Sequence, residues 1–170
     1  MDAAERARLI EAELAGLRRY ARALVGSRGE ADDLVHDCVE RALSRWSLWR
    51  RERALRPWLF SIMHNLFISD RRRHARRGHT VELDEGAPYT GRPPEQGASV
   101  MLGELARGLR ELPEEQRVVL LLVGLEGFSY AEAAEIAGVP IGTVMSRLSR
   151  GRTRLRERLD GGGALLRRVK

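Results

Sequence analysis

The chain has 170 residues, enough for one domain or two small ones, with 43% hydrophobic and 32% charged residues and a net charge of +6. This balance excludes a wholly disordered chain, and no apolar run approaches the roughly 18 residues of a membrane-spanning helix. The single cysteine, Cys38, excludes an internal disulfide framework; with an opening, "MDAAERARLIEAEL", that is acidic and amphipathic rather than a signal peptide, the chain reads as soluble and cytoplasmic.

A first helix is predicted from about residue 3, where Leu9, Ala12, Leu14, Leu17, Tyr20, Ala21 and Leu24 recur at helical spacing. "GSRGEAD" interrupts it, with Gly26 and Gly29 as punctuation. A second helix follows over about 30–46, on a stripe of Leu34, Val35, Cys38, Ala42 and Leu43. Glu30, Asp32, Asp33, Asp37 and Glu40 lie on it with no arginine among them, so it would repel DNA and is expected to meet a protein. The polar stretch "SLWRRERAL" leads to a third helix, expected to open at Pro57, a favoured first-turn residue. That helix ends in five arginines and no acid between Arg71 and Arg77, a tract able to run along phosphates. Trp46, Trp49 and Trp58 lie between the acidic and basic segments, with Phe60 and Phe67 close by. Aromatics interleaved with arginines suit unstacked bases. Trp58 and Phe60 read as core, and Trp49, inside the polar stretch, as the exposed ring.

Residues 78–99, "GHTVELDEGAPYTGRPPEQGAS", break the helical pattern with glycines and prolines, and their acids face only Arg92. They read as an acidic tether. Beyond it helices are predicted at 100–111, 114–125, 130–137 and 142–159. Pro113 with Glu114 and Glu115 suits a helix start. Gly124, Gly127, Gly138 and Pro140 mark breaks. No strand alternation stands out, so the fold class is all-α.

"SYAEAAEIAGVPIGTVMSRL" has the shape of a helix-turn-helix. Ser129 and Glu132 have capping-box spacing. Ala134 is small where two helices approach, and Gly138 sits at the turn. Projected at about 100° per residue, Val144, Leu148, Gly151, Leu155 and Leu159 form one stripe of the last helix. Thr143, Ser146, Arg147, Arg150 and Arg154 cluster roughly 130° away. From Gly142 to Arg158 six arginines oppose one acid, Glu157. One face packs while another presents hydroxyls and guanidiniums, as a major-groove helix requires. Arginine there reads guanine bidentately or neutralises phosphate.

"DDLVHDCVERAL", "RPWLFSIMHNLFISDRRR" and "LPEEQRVVLLLVGLEGFSYAEAAEIAGVPIGTVMSRLSRGRTRLRERL" closely resemble the small extracytoplasmic-function group of the bacterial sigma-70 family. The resemblance covers about four fifths of the chain. It implies region 2 at 1–77, a flexible acidic linker at 78–99, region 4 at 100–160 and a tail at 161–170. It assigns Asp33, His36 and Asp37 to docking on the β′ clamp helices of core RNA polymerase, His36 standing where the family usually has glutamine. It likens the loop "SLWRRERAL" to one that captures a flipped −10 base, and Asn65 matches a position near that element; within the loop Trp49 is the expected stacking surface and Arg50, Arg51 and Arg53 the charge, with Arg71, Arg72 and Arg73 of the basic tract expected along the same DNA. Ser146 and Arg150 match readers of the −35 element, with Thr143, Arg147, Arg152 and Arg154 beside them. Met145 departs from the pattern, which often has lysine or arginine there. The implied partners are core polymerase, through the β′ clamp helices and β flap, promoter DNA and an anti-sigma factor, with no membrane insertion. The linker would thread the polymerase cleft, its acids mimicking nucleic acid. Its reach of up to roughly 70 Å covers the roughly 58 Å between elements about 17 base pairs apart.

No catalytic residue, cofactor or metal site is expected. His36, His64, His74, His79 and Cys38 lack metal-ligand spacing, and adjacent His36 and Asp37 are expected to diverge on their helix. Cys38, on the apolar stripe, reads as core. Two other readings are a sigma-like decoy that sequesters an anti-sigma factor and an ordinary helix-turn-helix regulator. The first has no need of an exposed arginine face; the second calls for a receiver or ligand-binding domain that the first block does not offer.

Overall fold

The computed structural model describes residues 2–50, 52–77 and 96–166, with 77, 96–99 and 161–166 as backbone alone. Among the described residues there are seven α-helices and no strand, as the pattern predicts. Helix α1 (Ala3–Val25) starts where Asp2 accepts the Glu5 amide at 2.7 Å and stops at Gly26, whose φ of 80° suits glycine. Helix α2 (Arg28–Ser44) is capped by Ser27, and a 3-10 turn (Trp46–Leu48) follows it. Helix α3 (Leu55–Arg77) begins two residues before Pro57, still within the first turn, where a missing amide costs no internal bond.

Helix α4 (Gln96–Arg110) begins inside the expected tether, so residues 96–99 are helical, while 78–95 lie outside the described residues. Helix α5 (Glu114–Leu120) continues as a π-helical turn over Leu121–Leu125. Helix α6 (Tyr130–Ala137) is followed by α7 (Ile141–Leu166), which runs past the expected end at 159 through three glycines; nothing in the packing explains the extension. No described helix is long and apolar enough to cross a membrane.

Leu17, Tyr20 and Leu24 of α1 meet Val35 and Cys38 of α2 and Leu59, Phe60 and Met63 of α3 in the first core. Cys38 is fully buried, its thiol directed at the Leu59 carbonyl, and burial pushes its pKa up to about 12. The second core joins Val119 and Leu122 to Ala133 and Ile136 of α6 and to Val144 and Leu148 of α7. Gly151 permits a close approach there: a Cβ would lie 3.2 Å from the Leu120 side chain and 3.4 Å from that of Gln116. The two cores are continuous, because Phe128 stands edge-on to Phe60 with centroids 4.9 Å apart. Three expected core positions differ. Leu9 and Ala12 are exposed, with Ile10 buried in place of Leu9, and Leu43 is exposed.

Candidate polymerase and nucleic-acid interfaces

The helix-turn-helix is built as its sequence dictates. Ser129 accepts the Glu132 amide at 3.2 Å and Glu132 accepts the Ser129 amide at 2.8 Å, a complete capping box. Gly138 turns the chain at φ 65°. Val144, Leu148, Gly151 and Leu155 are buried beneath α7, while Ser146, Arg150, Arg152 and Arg154 are exposed. Arg150 folds back on Ser146, its Nε 3.3 Å from the carbonyl and its Nη2 3.4 Å from Oγ. The two expected readers thus form one polar unit. Thr143 is half-buried, and Arg147 is tied to Glu115 at 3.0 Å with 21% of its side chain exposed, so these two lie at the edge of the face.

Helix α2 turns Asp33, His36 and Asp37 to solvent. His36 and Asp37 do not diverge: Nδ1 lies 3.7 Å from Oδ1, because an exposed imidazole can swing back over its neighbour. Glu40 joins them, with ligand atoms within 4.8 Å of one another. The group is exposed throughout.

The stretch after α2 departs from expectation. Trp49 does not stand free: it packs on the core, 5.1 Å from Trp46, with its indole N–H donating to the Arg53 carbonyl at 3.1 Å. The cause is a tryptophan cluster, since Trp58 also meets Trp46 edge-on at 6.1 Å. Leu48, 66% exposed, is the free apolar side chain of this segment. Arg50 and Arg53 are exposed, and Arg51 lies outside the described residues. On α3 Asn65 and Arg72 are exposed, whereas Arg73 leans on Asp70 at 3.6 Å. Arg71 lies over Phe67 and pairs with Glu114 of the second block at 3.2 Å.

Sequence reasoning missed the contact between the blocks. The π-helical turn and Gly127, at φ 73°, aim Glu126 and Phe128 at the first block. The Glu126 side chain is fully buried. Its carboxylate accepts Arg19 Nε at 2.9 Å, Arg19 Nη2 at 2.7 Å and Arg56 Nη2 at 2.6 Å, and its carbonyl accepts Arg56 Nη1 at 2.9 Å. Arg56 also lies over the Phe128 ring at 4.6 Å. Gly16 makes the room: a Cβ there would be 3.3 Å from Glu126 Oε2. His64 is buried, and its Nδ1 has no hydrogen-bond partner among the described residues. Burial, with Arg147 as a second cause, lowers its pKa to about 4. The available signal was a lone acid between two glycines after an apolar run, which local pattern cannot pair with Arg19.

Two family models match the chain: the Sigma2 domain of PhyR over residues 10–64 and Sigma-70 region 4 over residues 102–155. The chain is 40% identical to the ECF RNA polymerase sigma factor EcfG of Rhodopseudomonas palustris (strain TIE-1) over 157 residues, 91% of this chain and 85% of that one. It is 33% identical to the ECF RNA polymerase sigma factor SigM of Mycobacterium tuberculosis (strain ATCC 25618 / H37Rv) over 139 residues, 82% of this chain and 69% of that one. Among solved structures it is similar to the sigma factor RpoE of Bartonella quintana, crystallised with the anti-sigma factor NepR. That similarity has a TM-score of 0.74 and 35% identity, and it covers 86% of this chain and 91% of that one.

Proposed function

The chain belongs to the ECF RNA polymerase sigma factors, and we propose a division of labour among its surfaces on that premise. A sigma factor binds core RNA polymerase and directs it to promoters. In this reading α2 supplies the polymerase contact through Asp33, His36 and Asp37, and region 4 also meets the β flap. The first block, through residue 77, acts at the −10 element with Arg50, Arg51, Arg53, Asn65, Arg71, Arg72 and Arg73. Trp49, held by Trp46, shapes that stretch rather than stacking on a base. The second block, residues 100–160, reads the −35 element with Ser146 and Arg150, flanked by Thr143, Arg147, Arg152 and Arg154. The linker, residues 78–99, spans between them.

The observation that carries this reading is the separation of charge by face. An acidic face on α2 suits a protein, and an exposed arginine face on α7, backed by a buried apolar stripe, suits DNA. The chain performs no chemistry itself and works in the cytoplasm beside the polymerase. Its relative RpoE is bound by NepR; this chain is held in the same way by an anti-sigma factor that releases it under stress. A decoy that only sequesters such a factor would not require the free face of Arg150, Arg152 and Arg154. Run-off transcription from a linear promoter, with core polymerase alone and with the chain added, tests the reading. Added chain should give a discrete transcript, and a chain that binds NepR-type proteins without supporting transcription would be the decoy.

A further inference from the structure

We propose that Met145, with Ile141 one turn before it, reads the 5-methyl group of a thymine in the −35 element. This rests on region 4 reading that element, and it concerns what the face reads beyond hydroxyl and guanidinium contacts. The opening turns of α7 expose two large apolar side chains, Ile141 at 45% and Met145 at 48%. They stand four residues apart, on one face of the helix. They are not spare core, because Val144 and Leu148 of the same turns already fill the interior. Single exposed apolar residues are ordinary on any surface. Place decides here, because the N-terminal part of a recognition helix is what reaches base edges.

In the major groove the base edges offer donors and acceptors at every pair and one apolar group, the thymine methyl. A thioether has no donor for guanine or phosphate, and its unbranched, polarisable chain fits irregular apolar contacts. Ser149 lies roughly 40° round the helix from Met145 and Ser146 roughly 100°, so the apolar pair borders the hydroxyl row. Arg150, held by Ser146, occupies the polar side. Met145 precedes Arg150 by about 7.5 Å of helix axis.

The test uses holoenzyme assembled from core polymerase and the full chain. It first selects its −35 sequence from a randomised promoter library. Each thymine of the selected element, on either strand, is then replaced by deoxyuridine, which removes the methyl group and nothing else. One replacement should weaken wild-type binding about three- to tenfold, change Met145→Ala binding little, and retain most of its effect with Met145→Leu. The inference is overturned by an element without thymine, by no deoxyuridine effect at any position, or by an effect undiminished in Met145→Ala. A holoenzyme that selects no −35 sequence overturns promoter reading by region 4 and the methyl contact with it.

Discussion

Replacing Glu126 with alanine, or Gly16 with leucine, is expected to part the two helical blocks while leaving each folded. Breaking a buried ion pair typically costs about 3–5 kcal/mol. Here the carboxylate is fully buried, but Arg19 is 52% and Arg56 32% exposed, so both guanidiniums can rehydrate. The loss falls to about 2 kcal/mol, roughly a 30-fold shift toward separated blocks. Gly16→Leu attacks the same contact from α1. It improves helix propensity by about 1 kcal/mol, while the added side chain enters the space that Glu126 occupies and also meets Arg56 and Phe60 of the first block. Small-angle X-ray scattering of the full chain, beside far-UV circular dichroism, reads the outcome. Both variants should show a larger radius of gyration with helicity retained, and Gly16→Ala should fall between. An unchanged radius for both would refute the argument that Glu126 holds the blocks together. Separation matters because blocks in mutual contact cannot lie on two elements roughly 58 Å apart, and because closure ties Arg71 to Glu114.

Arg150→Ala should cost about 1–3 kcal/mol and relax preference at one base of the selected −35 site, whereas Arg152→Ala should weaken all sequences alike and flatten the salt slope by about one; titrations against single-base variants at several salt concentrations separate the two. His64 has a folded pKa of about 4 against an ordinary 6.5, so the stability it contributes is complete above pH 6.5 and lost as pH falls toward 4, roughly 3 kcal/mol at the limit; denaturant titrations from pH 7.5 to 4 should show that slope, reduced in His64→Leu. Trp49→Ala should lower the melting temperature, since the ring packs on Trp46, and should reduce transcription equally from duplex and pre-melted promoters; a loss confined to the duplex promoter would restore a strand-capturing role.

Much of this architecture is legible in the sequence, because the signals are local. Apolar spacing predicts the seven helices, the Ser129–Glu132 pair predicts a cap, and Arg150 and Arg154 of α7 lie exposed on the side away from its buried stripe. Errors arise where two phases of one helix compete: Ile10 outranks Leu9 and Leu43 turns outward, each by a single step of the helical wheel. Trp49 misleads because polar neighbours say nothing of a ring that folds back to Trp46 across the turn. Glu126 and Arg19 are separated by 107 residues, and no periodicity links them. The π-helical turn that aims Glu126 has no propensity signature of its own.

As proposed, the chain works as a polymerase subunit docked by the acidic face of α2. Run-off transcription with core polymerase and the Asp33→Arg, Asp37→Arg double variant tests this most directly, with circular dichroism as the control for folding. Both side chains are solvent-exposed, so the variant should fold as the wild type does. It is expected to lose co-purification with core polymerase and to give no transcript. A folded double variant that binds core polymerase and transcribes at the wild-type level would contradict the account.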